Sequence, residues 1–299
     1  MSSPRRLDRF APAKINVFLR VLAAREDGYH DLESLVVPIS LGDQVEVTEA
    51  DRLDVEVVGE PRFTGEIPAG GLNLALVAAL ALADACGDAR GATVRIEKRI
   101  PVAAGLGGGS ADAAATLLAL NELWGCGLDL AMLADVAERV GSDVPAMLAA
   151  EPVLMSGRGE LLAPAAVAPM WWVLVPLGFG VRSPDAYRWW DEDGGAPGPD
   201  PSDLLEAAAT GDLERLGASM FNDLEAPVGR RHPEIAVAKA RLLELGALGA
   251  VMSGSGSSVV GLARDRAHAD ALASSLEGAI AVAGPPMTED PVGGPVGEG

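Results

Sequence analysis

The chain has 299 residues, 49% of them hydrophobic, with 43 acidic against 23 Lys and Arg and a net charge of −20. That is enough apolar material for one large domain or two of ordinary size, and it excludes a disordered chain. The acidic balance argues against a nucleic-acid backbone as partner, since phosphate contacts need clustered Lys and Arg.

Two cysteines, Cys86 and Cys126, make no disulfide framework, which fits a reducing, cytoplasmic setting. MSSPRRLDRF leads into no apolar signal core, and the longest apolar run, LALVAALALA at 74–83, is too short to span a bilayer. No membrane partner is therefore expected. Only Lys14, Lys98 and Lys239 are lysines, so Arg serves almost everywhere a surface cation would do.

In chain order, APAKINVFLRV at 11–21 alternates as a strand, with Ile15, Val17, Leu19 and Val21 on one face and Lys14, Asn16, Phe18 and Arg20 on the other. DQVEVTEA and LDVEVVGE continue a β-rich opening. NLALVAALALADAC reads as a buried helix, and ATVRIEKRI at 92–100 as a strand ended by Pro101. PVAAGLGGGSADAAATLL at 101–118 is a glycine-rich loop running into a helix from Ala111 to about Trp124. LAMLADVAERVG is another helix closed by glycine. WWVLVPL at 171–177 is an apolar strand, and DEDGGAPGPDPSD at 191–203 a flexible loop. Helices follow around LLEAAATGDLERLG and HPEIAVAKARLLELG. GAVMSGSGSSVVGLARD then reads as strand, Ser/Gly turn and strand, before a helix at HADALASSLEG. The pattern lacks a regular βαβ beat and predicts an α+β fold. Boundaries fall at 1–165 and 166–284, with 285–299 a disordered tail.

The glycine loop has a bland reading, a tight strand-to-helix turn, and a functional one. A dinucleotide fingerprint fails on spacing, because its third glycine would be Ser110 or Asp112. A Walker loop fails for lack of a Gly-Lys-Ser/Thr end. The remaining physics is that of an anion site: Gly105, Gly107, Gly108 and Gly109 bare their N–H groups, Ser110 is a good N-cap, and the helix points its positive end at the loop. Asp112 reads as helix-end electrostatics in preference to an Mg²⁺ ligand.

The run P-x-x-x-G-L-G-G-G-S-A closely resembles the phosphate loop of the GHMP kinases, departing from their second serine at Ala111. Further elements extend the resemblance over roughly residues 8–265: APAKINVFLRV, the Gly28-Tyr29-His30 element, NLAL at 73–76, VGSDVP at 140–145, FNDLE at 221–225 and MSGSGSSV at 252–259. The glycine-tyrosine-histidine element points to the branch that phosphorylates the 2-hydroxyl of a cytidine diphosphate-linked methylerythritol, in non-mevalonate isoprenoid precursor synthesis.

The resemblance implies a two-domain fold, the N-terminal domain like the second domain of ribosomal protein S5 and the C-terminal one ferredoxin-like. It implies ATP with Mg²⁺, the metal ligands being unknown. ATP would lie on Pro101, Val102, Ala103, Ala104, Gly105, Leu106, Gly107, Gly108, Gly109, Ser110 and Ala111, with Asn73 near the adenine or merely capping a helix. Asp143 would be the base, if it is not simply a helix cap, and Lys14 would pair with it and stabilise charge, if it is not a strand-edge lysine reaching water. Asn16 would meet the methylerythritol portion, and Tyr29, His30 and Tyr187 the cytosine. SGSGSS at 253–258 would fold against the site. His232 and His268 have no assigned partner. The competing readings are a kinase of the same family for another alcohol, such as homoserine, and an ATP-binding sensor without transfer. A monomer or weak homodimer is expected.

Overall fold

The computed structural model describes residues 4–60, 73–87 and 90–286. Most of the expected tail, from 287 on, lies outside the described residues. β1 (Arg6–Ala24) and β2 (His30–Glu49) form a long antiparallel ribbon, so the strand expected at 11–21 is the middle of a longer one. Register shifts between Pro12 and Lys14, Asn16 and Phe18, and Val21 and Ala23 break its strict alternation. Phe18 illustrates the result. It shares the predicted face of Lys14 and Asn16, yet it is fully buried and stacks on Phe221 with ring centroids 5.5 Å apart. Burial of such a ring is worth about 1.5–3 kcal/mol.

β3 (Asp54–Gly59) runs parallel to β4 (Ala92–Lys98), and β4 pairs with β2. Against this sheet pack α1 (Leu74–Cys86) and α2 (Gly108–Trp124), while α3 (Leu130–Glu138) lies on these helices and α4 (Val144–Ala149) reaches β1. The alanines of α2 are buried at Ala111, Ala113, Ala114, Ala115 and Ala119, which combines high helix propensity with close approach to β1 and α1. The hairpin of β5 (Val153–Gly157) and β6 (Leu161–Pro164) adds to β2, an element the sequence reading passes over.

The chain continues through β7 (Met170–Val175), α5 (Ser183–Glu192), α6 (Ser202–Thr210), α7 (Leu213–Ser219), β8 (Phe221–Asn222), α8 (Glu225–Arg231) and α9 (Glu234–Glu244). It closes with β9 (Gly249–Met252), β10 (Val259–Ala263), α10 (Arg266–Ser274) and β11 (Ile280–Gly284). The second sheet is antiparallel in the order β11-β7-β10-β9. The expected helix at LLEAAATGDLERLG divides at Gly211, whose φ of +73° ends α6. The 191–203 stretch, read as a free loop, starts as the end of α5 and is then tied down: the Gly198 carbonyl accepts from Arg20 Nε at 3.0 Å, and its N–H donates to Asp223.

The two halves interlock. β8 joins the first sheet parallel to β1 at Phe18 and Leu19, and the Ala283 N–H donates to Ser40 Oγ at 2.9 Å. Leu19 and Val21 meanwhile belong to the core packed under the second sheet. Cys86 and Cys126 form a disulfide, against the expectation of free thiols, with Cα atoms 5.5 Å apart. They meet because the C-terminal ends of the packed α1 and α2 lie side by side, a proximity invisible across 40 residues of sequence. No helix among the described residues is long and apolar enough to cross a membrane.

Candidate active site

A cavity of about 830 Å³ opens between the two sheets, walled by the 101–110 loop, the middle of β1, the start of β2, the 141–143 turn, α5 and the 254–255 turn. The loop is held by its carbonyls. Ala104 O accepts the Ser258 N–H at 3.1 Å and Leu106 O the Lys14 N–H at 3.0 Å. Gly105 O accepts both Lys14 Nζ and Ser253 Oγ at 3.0 Å. The N–H groups of Gly105 through Ser110 find no acceptor among the described residues. With the carbonyls engaged by protein, these donors are left for an anion at the positive end of α2.

α2 begins at Gly108, with Gly107 as N-cap at φ +69° and no side-chain cap. Ser110 is therefore inside the first turn and is not the N-cap expected. Asp112 moves to the second turn, away from the helix end. Ala111 is buried in the core and does not line the cavity, whereas Pro101 through Ser110 all do. Gly105 cannot be replaced without displacement: at φ +76°, a Cβ there would stand 2.1 Å from the Ser253 carbonyl oxygen.

Lys14 is buried, and its Nζ donates to Asn16 Oδ1 at 2.5 Å as well as to Gly105 O. It does not snorkel to water. Burial pushes its pKa down, with the charge of Asp143 acting the other way. No ion pair joins the two, so the expected direct pairing is replaced by attraction across the cavity. Asp143 occupies the N-cap position of α4, yet its side chain makes no cap hydrogen bond. Its carboxylate is half-buried on the cavity wall. Asn16 is oriented by Ser34, whose Oγ accepts from Asn16 Nδ2 at 2.7 Å and donates to Phe18 O at 2.6 Å.

At the far end, His30 stacks on Tyr187 with centroids 5.0 Å apart and meets the edge of Trp190 at 5.8 Å. His30 Nε2 lies 2.9 Å from Asp191 Oδ1. Burial, then the Asp143 charge, raises the Tyr187 hydroxyl's pKa, keeping it a neutral donor. Tyr29 is exposed at the mouth, with the Arg158 guanidinium 5.0 Å from its ring centroid. Asn73 lines the cavity and caps α1, accepting from the Ala75 N–H at 2.9 Å.

The structure adds residues to which the sequence reading assigns no role. Asn222 Nδ2 donates to Met252 O and Gly254 O, each at 2.7 Å, and Glu225 accepts the Met252 N–H at 2.8 Å. FNDLE thus anchors the 252–258 turn, which in turn anchors the loop. Ser34, Asp191 and Arg158 come from elements whose pairing no local pattern displays. His232 packs on Phe179 at 4.5 Å, and His268 Nδ1 accepts the Arg264 N–H at 3.2 Å. Neither lines the cavity.

Residues 73–151 match the GHMP kinases N terminal domain and residues 204–281 the GHMP kinases C terminal domain. A 4-diphosphocytidyl-2-C-methyl-D-erythritol kinase from Symbiobacterium thermophilum is 44% identical over 257 residues, covering 85% of this chain and 89% of that one. The crystal structure of a 4-(cytidine 5'-diphospho)-2C-methyl-D-erythritol kinase superposes with a TM-score of 0.79 at 38% identity, covering 93% of this chain and 99% of that one. Homoserine kinase from Cytophaga hutchinsonii has a TM-score of 0.70 at 20% identity, covering 95% of each chain, and shares the fold alone.

Proposed function

The chain belongs to the GHMP kinase family, within it to the 4-diphosphocytidyl-2-C-methyl-D-erythritol kinases, and from that membership we propose that it transfers the γ-phosphoryl group of ATP to the 2-hydroxyl of 4-diphosphocytidyl-2-C-methyl-D-erythritol. One observation carries the assignment of roles. A single cavity has loop N–H groups without an acceptor among the described residues at one end, a His30–Tyr187 stack at the other, and Lys14 with Asp143, whose side chain makes no cap bond, between them.

Phosphoryl transfer depends mainly on positioning and charge stabilisation. The N–H groups of Gly105–Ser110 hold the phosphates. Asp143 accepts the proton of the 2-hydroxyl as its oxygen attacks the γ-phosphorus, and the bond to the β–γ bridging oxygen breaks to release ADP. Lys14, fixed by Asn16 and Gly105, supplies positive charge beside the transferring group. Burial lowers its pKa and the Asp143 charge opposes that shift. Tyr29 and Tyr187 offer aromatic faces to the cytosine and His30 its ring edge, Asn16 reaches the methylerythritol portion, and Asn73 borders the adenine.

A divalent ion of the Mg²⁺ kind fits this donor set as a companion of the nucleotide. No group of three or more His, Cys, Asp or Glu side chains able to hold a metal occurs among the described residues, and Mg²⁺ is commonly held by substrate phosphates with few protein ligands. The Ser110 hydroxyl, in the first turn of α2, is an oxygen on the wall that would face it. Its chemistry would be to neutralise charge on the β- and γ-phosphates.

The order β11-β7-β10-β9, with helices between β7 and β9 and between β10 and β11, supports the ferredoxin-like reading of the second sheet. The turn to that sheet between β6 and β7 supports a boundary near 165, with the first sheet read as the S5-like domain. Net charge −20 favours repulsion between copies, consistent with a monomer or weak homodimer.

The test is ADP release from Mg-ATP with the cytidine diphosphate alcohol, homoserine and mevalonate offered separately. Turnover is expected with the first. Turnover with either of the others and none with the first would overturn the assignment, and binding of ATP without any turnover would favour a sensor.

A further inference from the structure

Behind the phosphate loop lies a buried ionic cluster that the transfer step does not use. Lys98 ends β4 just before the loop, Asp112 stands in α2 just after it, and Asp43 comes from β2. All three are buried. Lys98 Nζ donates to Asp112 Oδ2 at 2.7 Å and to Asp43 Oδ2. Asp43 Oδ1 in turn accepts the N–H groups of Arg99 at 2.5 Å and Ile100 at 2.8 Å. One lysine therefore ties the strand entering the loop to the helix leaving it.

Three observations bear on its purpose. Burying such a cluster is expensive, and apolar residues of similar volume commonly stabilise a fold as well or better. Lys98 is also unavailable as a phosphate ligand, because its ammonium is already engaged by two carboxylates. Finally, the cluster touches the site: Lys98 and Asp112 line the cavity, Asp112 Oδ1 is buried without a partner among the described residues, and a Cβ on Gly108 would stand 3.4 Å from Lys98 Nζ and 3.0 Å from Ile100 Cγ2.

We propose that Lys98, Asp43 and Asp112 are positioning residues that clamp the two ends of the phosphate loop, setting the direction of the N–H groups of Gly107–Ser110 toward the nucleotide. The inference rests on the reading of that loop as the ATP site. What the clamp needs at 112 is an acceptor for Lys98 more than a second negative charge. Burial, opposed by Lys98 and reinforced by Asp43, lifts the Asp112 carboxyl to about 8. A carboxamide keeps an acceptor oxygen for Lys98 Nζ and removes the charge.

The experiment compares Lys98→Met, Asp112→Leu and Asp112→Asn in the full chain. Steady-state kinetics, ATP titration without acceptor, and amide hydrogen exchange at Arg99, Ile100 and Ala111 without nucleotide supply the readouts. Lys98→Met and Asp112→Leu are expected to raise KM for ATP about tenfold or more, with KM for the acceptor within about threefold. Asp112→Asn is expected to restore KM for ATP to within about threefold of the parent. The Arg99, Ile100 and Ala111 amides, hydrogen-bonded in the parent, should exchange faster in the first two variants, while those of the α2 interior stay as in the parent.

An unchanged KM for ATP in folded Lys98→Met, or equal losses in Asp112→Asn and Asp112→Leu, would overturn the clamp. So would a matched rise of both KM values. If the single variants do not fold, Lys98→Met/Asp43→Asn/Asp112→Leu, which removes all three charges of the cluster together, replaces them, and normal ATP affinity in that protein overturns the clamp equally. If the parent itself binds no ATP, the nucleotide reading fails, and the exchange rates at Arg99, Ile100 and Ala111 decide the clamp independently.

Discussion

Asp143 stands at the head of α4 with no amide hydrogen bond on its side chain, although an aspartate before Val-Pro has every opportunity to cap. A capping carboxylate would be stabilised and occupied; this one is free to face a substrate hydroxyl. Asp143→Asn is therefore expected to lower kcat by about 10²–10⁴, the usual contribution of a general base. ATP affinity by titration should stay near that of the parent, since the loop N–H groups are untouched. Equal turnover in the two proteins would remove Asp143 as base. Sequence alone leaves cap and base equally open at this residue, because the two roles differ only in where one side chain points. Lys14 is more legible, since lysine is rare in this chain and this one interrupts an apolar strand. Its bonds to Asn16 and Gly105 are not legible, because Gly105 lies 91 positions away.

The phosphate loop works as an element because its carbonyls are spoken for. Gly105 is its tightest point, wedged against the turn that follows β9. Gly105→Ala combines a left-handed backbone with a contact of 2.1 Å to a backbone oxygen, neither of which can relax locally. The expected cost is about 1–3 kcal/mol in denaturant unfolding, together with a rise of about tenfold in KM for ATP. Gly125→Ala is the control: it has a comparable φ of +69° but open space around it, and it is expected to leave KM unchanged. Glycine spacing makes the loop recognisable in the sequence, yet α2 starts at Gly108 and not at Ala111, which changes the places of Ser110 and Asp112 in the helix. Gly107 capping α2 through its backbone conformation has no side-chain signature to read.

At the scale of the molecule, the site exists because two halves of the chain share a sheet edge. Asn222 is the rivet: it sits on the short β8 beside β1 and holds the 252–254 carbonyls with its carboxamide. Asn222→Ala would leave both carbonyls without this donor at a buried position, at an expected cost of about 1–3 kcal/mol. Denaturant unfolding measures that cost. A KM for ATP that rises in the same variant would trace the coupling from β8 through Ser253 to Gly105. An unchanged unfolding midpoint would show that water replaces the amide freely.

Local chemistry is sufficient for the glycine loop, the interrupted β1, the long alanine helix and the α+β class, because each depends on residues close together in the chain. The resemblance carried by those motifs is sufficient for the family. Tertiary structure alone decides which groups meet: Lys14 with Gly105, His30 with Asp191, Cys86 with Cys126, and Lys98 with two carboxylates from different elements. Such partners carry no periodicity, since a hydrogen bond across a cavity depends on where two backbones pass in space and leaves no pattern in either segment. PVAAGLGGGS announces an anion site; the strand before it and the helix after it, tied together by one buried lysine, determine where that site points.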